Sequence, residues 1–68
     1  MAAAYLLGIR EGRKTLRFLI SQGFTHREAV KHSIETCNGV RALGFSGEMA
    51  DFNRGERDFF RHQAKLSK

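Results

Sequence analysis

Proline and tryptophan are absent from this 68-residue chain, and cysteine occurs once, as Cys37. Without proline, no helix or strand is broken by a missing amide donor, so glycine must place every break. A lone cysteine closes no intrachain disulfide. His26, His32 and His62 are too scattered to join Cys37 at a recognisable zinc spacing, and no Cys-x-x-Cys is present. Disulfides and a structural metal, the usual staples of small scaffolds, are thus not expected, which leaves association with a second subunit. That support matters, because a chain of this length removes only about 60% of its unfolded surface from water when it folds alone. No apolar run is longer than Ala2 to Leu7, so neither a membrane span nor a secretory leader is read, and a reducing cytoplasm is the expected compartment. Nucleophile motifs, paired carboxylates and phosphate-cradling glycine loops are also missing. The chain reads as a non-enzymatic protein without a cofactor.

What is present in excess is positive charge: 12 Lys+Arg against 7 Asp+Glu, a net +5. Such a balance favours an acidic partner, either nucleic acid or an acidic protein face. Residues 1–25 hold four basic side chains and one acidic, residues 26–44 three and two, and residues 45–68 five and four. The excess is concentrated at the beginning of the chain.

No strand-like alternation occurs, and two signals, Gly23-Phe24-Thr25 and Gly44-Phe45-Ser46, recur 21 residues apart. Each reads as a helix stop, an apolar residue and a helix start. Glycine accepts the left-handed conformation that closes a helix, and Thr or Ser accepts a hydrogen bond as N-cap. Thr25 with Glu28 spells a capping box, with Phe24 placed to pack on Ala29 as a hydrophobic staple. Ser46 has no Glu or Gln three residues on, although Glu48 suits the positive end of a helix dipole. The spacing predicts an all-α protein, a small bundle of three helices joined by short corners. Helix 1 covers about residues 3–22, helix 2 about 26–43 and helix 3 about 47–65 of a single domain, 1–68.

A 100° step per residue gathers Tyr5, Ile9, Gly12, Leu16, Leu19 and Ile20 on one face of the first helix, with Arg10, Arg13, Lys14 and Arg17 opposite. Leu7 and Phe18 share a line beside the basic stripe and belong to neither face. The expected core faces of the other helices are Ala29, Val30, Ser33, Ile34, Cys37 and Val40, a narrow one, and Met49, Phe52, Phe59, Phe60 and Leu66, a bulkier one. Ala4, Gly8 and Gly12 leave one edge of the first helix nearly bare. Together with Tyr5 they form a close-packing face for another helix, of this chain or of a second copy. Because glycine costs about 1 kcal/mol in a helix relative to alanine, close approach is the natural compensation. The limited core and the unassigned Leu7 and Phe18 point to a homodimer.

Arg10, Arg13, Lys14 and Arg17, flanked by Leu7 and Phe18, are the expected partner-binding residues, since arginine and aromatic side chains combine charge-steered encounter with desolvated anchoring. The same stripe is also what an ordinary solvated helix face looks like. Nucleic acid is the weaker candidate partner. The helices are long for a helix-turn-helix, and Glu56 and Asp58 alternate with Arg54, Arg57 and Arg61 on the third. Glu56 falls toward the apolar side, so it either pairs with an arginine or lies at a wet edge. Cys37 reads as a small packed hydrophobe, and His62 faces the polar side.

Read as strings, Tyr5 to Arg13, Gly23-Phe24-Thr25, Ile34 to Cys37 and Arg54 to Gln63 resemble small early proteins of Mu-like temperate bacteriophages, over nearly the whole chain. Within that group, the size and helical composition are similar to those of phage-encoded quorum-sensing anti-activators. The resemblance implies a short inhibitor in the host cell cytoplasm that occludes a LuxR-type transcription activator and also blocks a type IV pilus assembly ATPase. It assigns no binding residue. A small DNA-binding regulator and an anti-defence inhibitor are the alternatives with the same composition.

Overall fold

A computed structural model describes residues 2–66. It contains three helices, α1 (Ala3–Ser21), α2 (His26–Arg41) and α3 (Gly47–Leu66), so the expected all-α bundle is what the chain forms. The first corner follows from local chemistry. Gly23 adopts φ +102°, which lets the Phe24 amide donate to the Leu19 carbonyl at 3.2 Å and the Gly23 amide to that of Ile20 at 3.1 Å. These two bonds cap the last carbonyls of α1 in a Schellman arrangement. Immediately afterwards the Thr25 hydroxyl accepts from the Glu28 amide at 3.1 Å, while the Glu28 carboxylate accepts from the Thr25 amide at 2.9 Å. That reciprocal pair is the capping box, and it starts α2. Phe24 stays half-exposed and lies beside the His32 ring, centroids 6.5 Å apart. Gly44, at φ +77°, ends the second helix region in the same left-handed way.

α1 and α3 form the tightest interface, and the bare edge of α1 is the reason. Gly8 lies directly against the Phe52 carbonyl, Gly55 directly against the Tyr5 carbonyl, and Gly12 under the Phe59 ring. A Cβ on Gly12 would stand 2.8 Å from that ring, and at Gly8 or Gly55 it would meet backbone. From Gly8 on Phe52 to Gly12 on Phe59 the contacts advance in the same direction along both helices, so α1 and α3 run parallel. At the far side of the crossing the Tyr5 hydroxyl donates to Asp58 at 2.8 Å, and the Arg54 guanidinium lies 5.2 Å from the Tyr5 ring centre. The packing face of Ala4, Tyr5, Gly8 and Gly12 is therefore used within the chain, with Ala4 half-buried at its end. A second copy cannot use it, because α3 fills it.

α2 runs antiparallel to α3. The buried Asn53 amide donates to the Cys37 carbonyl at 3.1 Å, and His26 and Gln63 are 3.0 Å apart at the other end. The core between the helices is small: Leu16, Ala29, Val30, Cys37 and Phe60 are buried, with Leu19, Ile34 and Phe59 packed around them. Phe60, at 1% exposure, is its anchor and meets Phe59 edge-on at 5.1 Å.

Tyr5, Ile9, Val40 and Phe52, expected in that core, are half-buried outside it, and three further expected core side chains are exposed. Ile20 is 45% exposed, Met49 57% and Leu66 64%. Each stands within a turn of a helix end. In their place α3 buries Asn53 and Gly55. No helix among the described residues is long and apolar enough to cross a membrane.

Candidate functional site

α1 packs on α3 and touches α2 far less, so its outer face stays open. Arg10, Arg13, Lys14 and Arg17 are all exposed on it. Lys14 reaches Glu11 at 3.4 Å, a surface pair one turn apart that contributes well under about 1 kcal/mol. Arg10, Arg13 and Arg17 have no acidic partner among the described residues. Beside them Leu7 is 50% exposed and Phe18 61%. The six residues expected to bind a partner therefore share one continuous surface on a single rigid helix.

A feature that periodicity alone does not place lies next to it. α1 and α2 touch little, and a groove of about 280 Å³ opens between them, with Phe18 and Leu19 on one wall, Ser33 and Cys37 on the other, and Glu56 and Phe60 below. Glu56 finds no arginine here. It has no hydrogen bond or ion pair among the described residues, and burial together with the nearby Glu11 charge pushes its carboxyl above the ordinary value. The Ser33 hydroxyl is buried without a hydrogen-bond partner. Burial, helped by the Glu56 charge and opposed by Arg57, raises the Cys37 thiol to about 11. At neutral pH that thiol stays protonated and is a poor nucleophile. The groove thus combines apolar walls with one carboxyl group, and offers a hydrophobic contact rather than an activated reagent.

In a second hollow, which shares Val40 and Asn53 with the groove, the Arg57 Nε is buried without a hydrogen-bond partner among the described residues, close to Asp51 and Arg54, which hold each other at 3.3 Å. Neither Asn53 nor Arg57 stands out in the sequence, because both fall among ordinary polar residues of α3. Among the described residues, no three His, Cys, Asp or Glu side chains gather as a metal site.

The fold and this surface define a small three-helix protein with an open basic helix face. Compared with known families, characterised proteins and solved structures, the chain matches none.

Proposed function

We propose that this protein is an inhibitor that works by occlusion: it docks the outer face of α1 on a host protein and covers a surface that the host protein needs. The observation that supports this most is the row Arg10, Arg13 and Arg17, three guanidinium groups without acidic partners among the described residues, beside half-exposed Leu7 and Phe18. A monomer gains nothing from that arrangement, whereas a complementary acidic face gains steering, bidentate hydrogen bonds and apolar contact. The resemblance to phage anti-activators directs the proposal to a LuxR-type quorum-sensing activator in the host cytoplasm, with the type IV pilus assembly ATPase as a second target.

Capture on an immobilised LuxR-type activator tests it. The parent chain should be retained, and the Arg13→Glu/Arg17→Glu variant should be lost from the matrix while keeping its helical circular dichroism and melting temperature. Retention of both alike reduces the stripe to a solvated surface. Binding of arbitrary duplex DNA that collapses between low and physiological salt would replace this reading with a phosphate-contacting one.

A further inference from the structure

We infer that the hollow beside Arg57 is a binding site for a small phosphate monoester that carries an aromatic ring, of the nucleoside monophosphate class. Its volume is about 350 Å³, within the range of roughly 300–1,000 Å³ that small-molecule sites occupy. The end of α2 supplies Val40 and Arg41, the link to α3 supplies Phe45, and the first half of α3 supplies Asp51, Arg54 and Arg57. Three arginines from two helices thus line one concavity. It shares no residue with the basic face of α1, so it stands or falls independently of the proposed function.

Charge and hydrogen-bonding capacity select the ligand. Three guanidinium groups against one carboxylate leave two positive charges in excess, which a phosphate monoester, close to a dianion at neutral pH, balances. Asp51 does not hold the arginines together. It reaches Arg54 alone, at 3.3 Å, and Arg41 and Arg57 have no acidic partner among the described residues. Arg54 is also placed by the Tyr5 ring, whose centre is 5.2 Å from its guanidinium carbon, so one arm of the site is set before a ligand arrives. Arg57 is the arm that lacks a partner. Its Nε is buried and no group among the described residues accepts from it, a costly state for a donor. Turning the guanidinium into the hollow lets Nε and one Nη hold two phosphate oxygens as a fork, the geometry in which arginine recognises phosphate.

A bare phosphate would leave most of the hollow unfilled. Val40 and Phe45 form its apolar part, and Phe45 is 46% exposed although it lies in a short link between two helices. A planar ring laid on Phe45 fills that space and covers the exposed phenyl, as bases stack on aromatic side chains elsewhere. A monocarboxylate, with one charge, would leave the second excess charge unbalanced.

Isothermal titration calorimetry of the full chain at physiological salt, with circular dichroism on every variant, provides the test. Adenosine monophosphate should bind saturably at millimolar concentration or below, inorganic phosphate at least about tenfold more weakly, and adenosine not at all. Arg57→Lys keeps the charge and loses the fork, and should weaken nucleotide binding at least about tenfold. Arg41→Met, at an exposed position that ends α2, should do the same without disturbing the fold. Phe45→Ala should lower the affinity for the nucleotide to that for phosphate and leave phosphate binding unchanged. Arg13→Glu/Arg17→Glu, on α1, should bind the nucleotide like the parent. Equal affinities of the parent for nucleotide and phosphate would overturn the ring contact and make the free ion the ligand. No saturable nucleotide binding, parental affinity in both Arg57→Lys and Arg41→Met, or adenosine bound as tightly as its monophosphate would overturn the site.

Discussion

Gly8 and Gly55 stand in a reciprocal relation across the α1–α3 crossing: each lies against a backbone carbonyl of the helix that carries the other. The helices approach so closely because neither position has a Cβ, and carbon-bound hydrogens facing carbonyl oxygens add weak attraction there. Gly8→Ala and Gly55→Ala should each destabilise by at least about 2 kcal/mol, since the obstacle is backbone and has no rotamer to change. At roughly 4–8 °C per kcal/mol for a domain of this size, thermal melting resolves the loss easily. Gly39 is the control. It lies inside α2 with nothing within 4 Å of where a Cβ would stand, so Gly39→Ala should add about 0.5–1 kcal/mol of stability and raise the melting temperature. Equal effects at Gly8 and Gly39 would refute the close crossing.

The capping box makes a second, local prediction. Thr25→Ala removes the acceptor of the Glu28 amide and should cost about 1 kcal/mol. Hydrogen bonds from the Thr25 backbone and side chain hold the Glu28 carboxyl below its ordinary value. Its contribution is therefore present above the unfolded-state value and lost as pH falls through the folded one. Glu28→Ala should accordingly lower the melting temperature at neutral pH and lower it less in acid. A gap that does not change with pH counts against the carboxylate as the acceptor.

Glu56 should behave in the opposite sense. Burial, and next the Glu11 charge, raise its folded value, so the stability it lends is complete below the unfolded value and is lost as pH rises through the folded one. Glu56→Gln, which keeps the shape and removes the charge, should melt higher than the parent at neutral pH. The advantage should vanish below about pH 4, where the parent carboxyl is also neutral. Identical melting curves for the two proteins from acid to neutral pH would show that Glu56 is solvated in the free chain.

Cys37 should be inert in the folded protein. The residue is 5% exposed and burial raises its thiol to about 11, so both access and thiolate fraction are small at pH 8. Alkylation should run at least about tenfold slower in the native state than in denaturant. Comparable rates would mean that α2 opens from α3 on the timescale of the reaction.

The three helices and the first corner were legible in the sequence because each depends on residues within a few positions of one another. Gly23 accepts its left-handed conformation, Thr25 and Glu28 satisfy each other's amides, and periodicity identifies the stripe that must face inward. Ile20, Met49 and Leu66 were not predictable by that route, since periodicity assigns a direction and says nothing of whether a neighbouring helix extends far enough to cover it. The bare edge Ala4-Gly8-Gly12 was likewise visible, but the glycine that fits it, Gly55, is on another helix 47 residues beyond Gly8. Only the tertiary structure could settle whether that edge meets α3 or a second copy.

The candidate site divides in the same way. A single helix determined the basic stripe and the Leu7–Phe18 line, so sequence sufficed to group them. The groove between α1 and α2, the position of Glu56 beneath it and the Asn53 bond to the Cys37 carbonyl each join residues of different helices. Which residues of two helices meet depends on how their side chains fill space against each other, a property of pairs of helices that no pattern along one of them records.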